Sequence, residues 1–160
     1  MTRRVLVYGY GNPGRVDDGL GPALVDELAR RAVPGVTLET DYQLQPEDAA
    51  LVAEFDVVVF ADADVSCATP FELKPLEPRS TVDFSTHSVA PEAVLAMAHE
   101  HFGCSTTGFT LGMRGAEFDD FGERLSEQAK ANLLLAADHL ERAVREGTFF
   151  ATAASVPCQR

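Results

Sequence analysis

Cysteine is scarce in this chain: Cys67, Cys104 and Cys158 are the only three in 160 residues. The count is odd and no Cys-x-x-Cys pair occurs, so neither a disulfide framework nor a zinc knuckle is encoded. Such usage fits a reducing compartment, and a cytoplasmic location is expected. Basic residues are few, 13 against 25 acidic ones, which gives a formal net charge of −12. An acidic surface repels phosphate, so neither nucleic acid nor an anionic membrane is expected as a partner. Long apolar runs are missing. The run after Arg3 and Arg4 stops at Gly9, too short for a signal h-region or a membrane span. There is no G-x-S-x-G, and His99-Glu-His101 lacks the one-turn spacing of the zinc protease helix. No internal repeat, low-complexity tract or interdomain linker interrupts the chain.

What is present is enough apolar residue, 46%, to build a core. The length fits one domain over residues 1–160, and the small, polar stretch 146–160 is expected to be a loosely held tail. Val5–Tyr10 is almost wholly apolar and reads as a strand buried on both faces. Leu20, Leu24, Leu28 and Ala32 recur at helical spacing, with Pro22 tolerated in the first turn and Pro34-Gly35 ending the helix. Val36–Thr40 alternates as a second strand. Gln45-Pro46-Glu47 opens a second helix carrying Ala49, Leu51, Val52 and Phe55, and Val57–Ala61 is a third strand ending at Asp62. This β-α-β-α-β order predicts a parallel sheet with helices on both faces. Phe71–Leu76, hemmed by Pro70, Pro75 and Pro78, reads as a short or edge strand. A polar loop over Glu77–Ser88, a helix from Pro91, a strand Gly108–Met113 and a long helix from Ser126 to about Arg145 complete the order. The class is therefore α/β, with a mostly parallel twisted sheet of about five strands between helices.

The glycine turn Gly9-Tyr-Gly11-Asn-Pro-Gly14 matches the dinucleotide-binding pattern, and Glu39 or Asp41 could pose as its ribose-binding acid. Three features oppose that reading. Pro13 interrupts the region where a pyrophosphate-binding helix would open, and the helical pattern starts only near Gly19 or Leu20. Asp17 and Asp18 would bring negative charge to the phosphates. Little chain is left for a substrate domain. The acids themselves are more informative. Asp17 reads as a helix-start acid, favoured by the dipole. Asp62 ends a buried strand at the carboxyl edge, where open α/β sheets bind ligands, and Asp64 reads as a solvated loop acid. His99 and His101 suit a helix C-terminus, and His139 a helix surface. His87, in the polar loop Ser85-Thr-His-Ser88, can reach the edge that carries Asp18 and Asp62. Two carboxylates and an imidazole make a hard-to-borderline metal site with open positions.

Several segments fall in a characteristic order: Gly9-x-Gly-Asn12 with Asp17-Asp-Gly-x-Gly21, Asp41-Tyr-Gln-Leu-Gln-Pro-Glu47, Phe60-Ala-Asp-Ala63, His87-Ser-x-x-Pro91, Arg114-Gly-x-x-Phe118, and Leu125-Ser-x-x-Ala129-x-x-Asn132. The set resembles the nickel–iron hydrogenase maturation proteases, endopeptidases that trim the large-subunit precursor. The resemblance implies a compact α/β sandwich, three layers deep, and a protease without a catalytic serine or cysteine. It implies that Asp18, Asp62 and His87 are the catalytic and metal-contacting residues, and that the metal is nickel carried by the substrate. The implied partner is a hydrogenase large-subunit precursor, and a monomer is the default state. Asp18 stands where some members have glutamate, one methylene longer, and Asp119-Asp120-Phe-Gly122 stands where many have Glu-x-Gly. Two other classes stay open: a nickel-sensing checkpoint or chaperone without catalysis, and a dinucleotide-binding oxidoreductase. Whether nickel would be catalytic or only recognised is also open.

Overall fold

The computed structural model describes residues 4–80 and 89–149. Five strands form one sheet: β1 Val5–Tyr10, β2 Val36–Asp41, β3 Val57–Asp64, β4 Phe71–Leu76 and β5 Thr107–Arg114. Their order across the sheet is β2-β1-β3-β5-β4. The first four run parallel, and β4 closes one edge antiparallel to β5. The sheet is thus mixed, with a single reversed edge. Pro75 sits on that edge strand, where a missing amide costs no ladder bond on the open side.

Alternation along the strands divides the core in two. Val5, Val7, Val57, Val59 and Ala61 face α1 (Leu20–Arg31) and α4 (Glu127–Glu146), meeting Leu20, Leu24, Leu133 and Leu140. Leu6, Tyr8, Val58 and Phe60 face the opposite way, onto Val52 of α2 (Asp48–Val52) and Val94 and Ala98 of α3 (Pro91–Phe102). Helix, sheet and helix make the three layers. α3 opens on Pro91 as its first residue, where the absent N–H would be unpaired anyway. α4 opens at Ser126, whose hydroxyl accepts the Ala129 amide at 3.2 Å, a side-chain N-cap.

Two elements differ from the sequence reading. β3 does not stop before Asp62; it runs to Asp64 because β5 continues beside it, with Asp62 opposite Gly112 and Asp64 opposite Arg114. The second helix is shorter than expected. The Asp48 carboxylate accepts the Gln45 amide at 2.8 Å and the Tyr8 hydroxyl at 2.9 Å. These bonds hold 45–47 as a turn leading into α2, and Phe55 is buried just beyond its end. The expected tail falls mostly outside the described residues, as does most of the loop before α3.

Candidate active site at the sheet switch point

From β1 the chain passes through α1 to β2 on one side, then through α2 to β3 on the other. The carboxyl ends of β1 and β3 therefore flank a topological switch point, where open α/β sheets leave a crevice. The β1–β3 ladder ends at the pair Gly9 and Ala61. Asp62 is the first residue of β3 past that ladder. It shares the face of Val58 and Phe60 but lies beyond their apolar cover, half-buried.

Beyond β1 the chain makes a sharp turn and then a short 3₁₀ helix, Val16–Gly19, before α1. Gly11 has φ +140°, a backbone state that disfavours any side chain. A Cβ there would also collide with the Asp18 carbonyl oxygen and lie 3.8 Å from Asp62 Oδ1. Gly11 thus packs against the Asp18 backbone on one side and the Asp62 carboxylate on the other. Asp18 Oδ2 accepts the Asn12 amide at 2.9 Å, and the Asn12 side-chain oxygen accepts the Gly14 amide at 2.9 Å. The turn that resembles a phosphate cradle thus spends these two amides on its own side chains, one of them anionic.

Asp62 is electrostatically unusual. Burial raises its pKa, the Ala63 amide at 2.8 Å opposes, and the charges of Asp18 and Asp64 push it up again, to about 7. A carboxyl group so placed exchanges its proton near neutrality and can serve as acid or base. Tyr10 lies beside it. Burial, then Asp62 and Glu92, hold its hydroxyl protonated well above the usual phenol range. Both side chains line a recess of ≈ 160 Å³ that continues past Asp64 and Thr110 to Lys74.

Asp17 behaves oppositely to its neighbour. It is fully buried, and its carboxylate accepts four hydrogen bonds of 2.7–2.9 Å: the Ala116, Glu117 and Ser126 amides and the Ser126 hydroxyl. Burial alone would raise its pKa; these four donors together hold it below the usual range. Asp17 does lie in the first turn of the 3₁₀ helix, yet its carboxylate serves a distant segment rather than its own helix. Donor supply separates the acids: Asp17 accepts four hydrogen bonds, three at Oδ2 and one at Oδ1, while Asp18 and Asp62 each accept one amide among the described residues.

The remaining candidates are dispersed. The Asp64 carboxylate holds its own loop, accepting the Ser66 and Cys67 amides at 2.9 and 3.2 Å. Asp41 is exposed at the end of β2 and accepts the Tyr42 amide at 2.7 Å. His99 pairs with the Thr106 carbonyl at 2.7 Å, away from the crevice. His139 is exposed, its ring 5.4 Å from that of Phe71. His87 lies outside the described residues, so the third member of the expected triad has no position here. Among the described residues no group of three histidine, cysteine or acidic side chains is arranged to hold a metal ion. Tyr10 and Ser126 were not singled out as functional in the sequence. Tyr10 carried a faint signal as the last residue of a strand leading into the acid pair.

No protein-family model matches the chain, and no curated protein sequence matches it significantly. Solved structures do. The [NiFe] hydrogenase maturation protease HycI from Thermococcus kodakarensis KOD1 superposes with a TM-score of 0.68 at 22% identity, covering 89% of this chain and 93% of that one. The chain has the fold of the hydrogenase maturation proteases. The hydrogenase maturating endopeptidase HybD from E. coli gives 0.67 at 20% identity, covering 90% and 93%. The hydrogenase 2 maturation peptidase from Thaumarchaeota archaeon SCGC_AB-539-E09 gives 0.64 at 24% identity, covering 89% and 98%. The likeness spans nearly the whole chain in each case, so sheet, helices and switch point all belong to the shared architecture.

Proposed function

We propose that this chain is a hydrogenase maturation endopeptidase that removes a C-terminal peptide from a nickel-loaded large-subunit precursor. The observation that carries the reading is the pairing of Asp18 and Asp62 across Gly11 at the switch point of this fold. Both acids keep lone pairs available, and they are the positions that the ordered motifs match to the family's acids. His87 is the proposed third contact. Carboxylate and imidazole donors suit a borderline cation such as nickel, and here the nickel is part of the substrate.

The electrostatics suggest how cleavage becomes conditional on the metal. Burial and the charges of Asp18 and Asp64 raise the Asp62 pKa to about 7. A cation arriving against the pair relieves that repulsion and favours the ionised carboxylate. A metal held there can polarise a carbonyl or acidify a water; Asp62 would orient the water or take its proton.

The test incubates precursor large subunit, with and without nickel, with wild type and with Asp62→Asn, and reads the product by mass spectrometry. Loss of the C-terminal peptide only from nickel-loaded precursor, with the mutant slowed at least ~100-fold, is expected. Nickel-dependent association without any mass loss would replace the protease by a checkpoint subunit. Equal cutting of nickel-free precursor would remove the metal from the account.

A further inference from the structure

We propose that Asp17 is the positioning residue of this site: its buried carboxylate clamps the segment 115–126 onto the turn after β1, and the clamp holds Asp18 at the crevice. The proposal rests on the endopeptidase reading above. Asp17 and Asp18 share one 3₁₀ turn; Asp17 is fully buried, while Asp18 is half-buried with its carboxylate on the Asn12 amide. Rotation of that turn would therefore move both acids together.

The clamp has more than one strand. The Asp17 amide donates to the Glu117 carbonyl at 3.0 Å, and the Val16 amide to the Gly122 carbonyl at 3.1 Å. The Gly122 amide returns to the Gly14 carbonyl at 2.8 Å, and the Arg15 guanidinium reaches the Phe118 carbonyl at 3.3 Å. Gly115 lies under this joint. A Cβ there would stand 2.5 Å from the Phe118 ring and 3.0 Å from the Asp17 Cβ. Val16, a β-branched residue, is held at φ +51°, a conformation that persists only where surrounding bonds over-determine it. Those bonds come from segment 115–126. Such a segment, holding a strained turn beside a reactive acid, controls aim as well as stability.

The test uses wild type, Asp17→Asn and the milder Ser126→Ala, which removes one of the four donors to Asp17 together with the side-chain cap of α4. Amide hydrogen exchange reads the aim directly, because the Asn12 amide is held by the Asp18 carboxylate. In Asp17→Asn the Asn12, Ala116 and Glu117 amides are expected to exchange ~10-fold faster or more through local opening, while those of β1 and α1 speed up only by the factor that the measured loss of global stability gives. With nickel-loaded precursor, kcat is expected to fall ~100-fold, as for a misplaced catalytic group. KM should stay within about threefold. Ser126→Ala should move both readouts the same way by smaller factors, and it carries the test if Asp17→Asn does not fold. Asn12 exchange in a folded variant that is unchanged, or no faster than the measured global unfolding gives, overturns the clamp. If wild type fails to cut the precursor, the endopeptidase reading falls, and the Asn12 exchange still decides the clamp.

Discussion

Asp17 and Asp18 are chemically identical neighbours with opposite fates, and hydrogen-bond supply is what separates them. Four donors meet Asp17, and burial without those donors would be costly. Breaking that network leaves donors unpaired in the interior, so Asp17→Asn should lower unfolding stability at pH 7 by ~2–4 kcal/mol in a denaturant titration. Asp62 has the reverse linkage. Its folded-state pKa is raised, so its contribution is fully present below the unfolded value near 4 and is lost as pH rises through about 7. Asp62→Asn should therefore be more stable than wild type at pH 8, on the order of 1–3 kcal/mol after allowing for its partial exposure. The advantage should shrink toward pH 4, as thermal melts at several pH values would reveal. A more stable but inactive variant is the signature of a group kept in place for chemistry.

At the scale of elements, α1 is seated unusually close to the sheet. A Cβ on Gly21, in its first turn, would collide with the Tyr10 carbonyl and lie 2.7 Å from the Ala61 carbonyl. These are backbone atoms and cannot rotate away. Gly21→Ala should push the helix off the ends of β1 and β3, costing ~1–3 kcal/mol and slowing cleavage more than that loss of stability explains. The same helix buries Leu24 completely. Leu24→Ala should cost ~2–5 kcal/mol in unfolding free energy through the cavity it leaves, with kcat of the folded fraction unchanged. Comparing the two variants separates packing that holds the protein together from packing that shapes the crevice.

Across the whole molecule, the order of elements was legible because its signals are local. Val5–Tyr10 and Phe71–Leu76 match the sequence reading end for end, the first marked by its apolar run, the second by its prolines. Ser126 announced α4 by cap chemistry. The end of β3 was not legible, since Asp64 looks like a loop residue until β5 is placed beside it. The reversed direction of β4 left no mark in its composition. The role of Asp17 was hidden for a different reason: its donors lie 99 to 109 positions away, beyond any local pattern. Asp18 and Asp62 were legible as strand-end acids; the structure added the packing of Gly11 against the Asp18 backbone and the Asp62 carboxylate, and the burial that raises the Asp62 pKa. The molecule as a whole also bears on the cofactor question. With an acidic surface and the Asn12 and Gly14 amides already taken, fluorescence titration with nicotinamide cofactors should show no saturable binding, and a saturable signal would revive the oxidoreductase reading.

The distance between Asp17 and its donors has a temporal side. During synthesis, β1, the glycine turn and both acids leave the ribosome before the segment that holds them. The residues that lock the turn follow only after Ala116, and the cap of α4 later still. A growing chain thus carries its acids across those 99 to 109 positions without the frame that aims them. The site is therefore aimed only once residues translated well after its acids are in place.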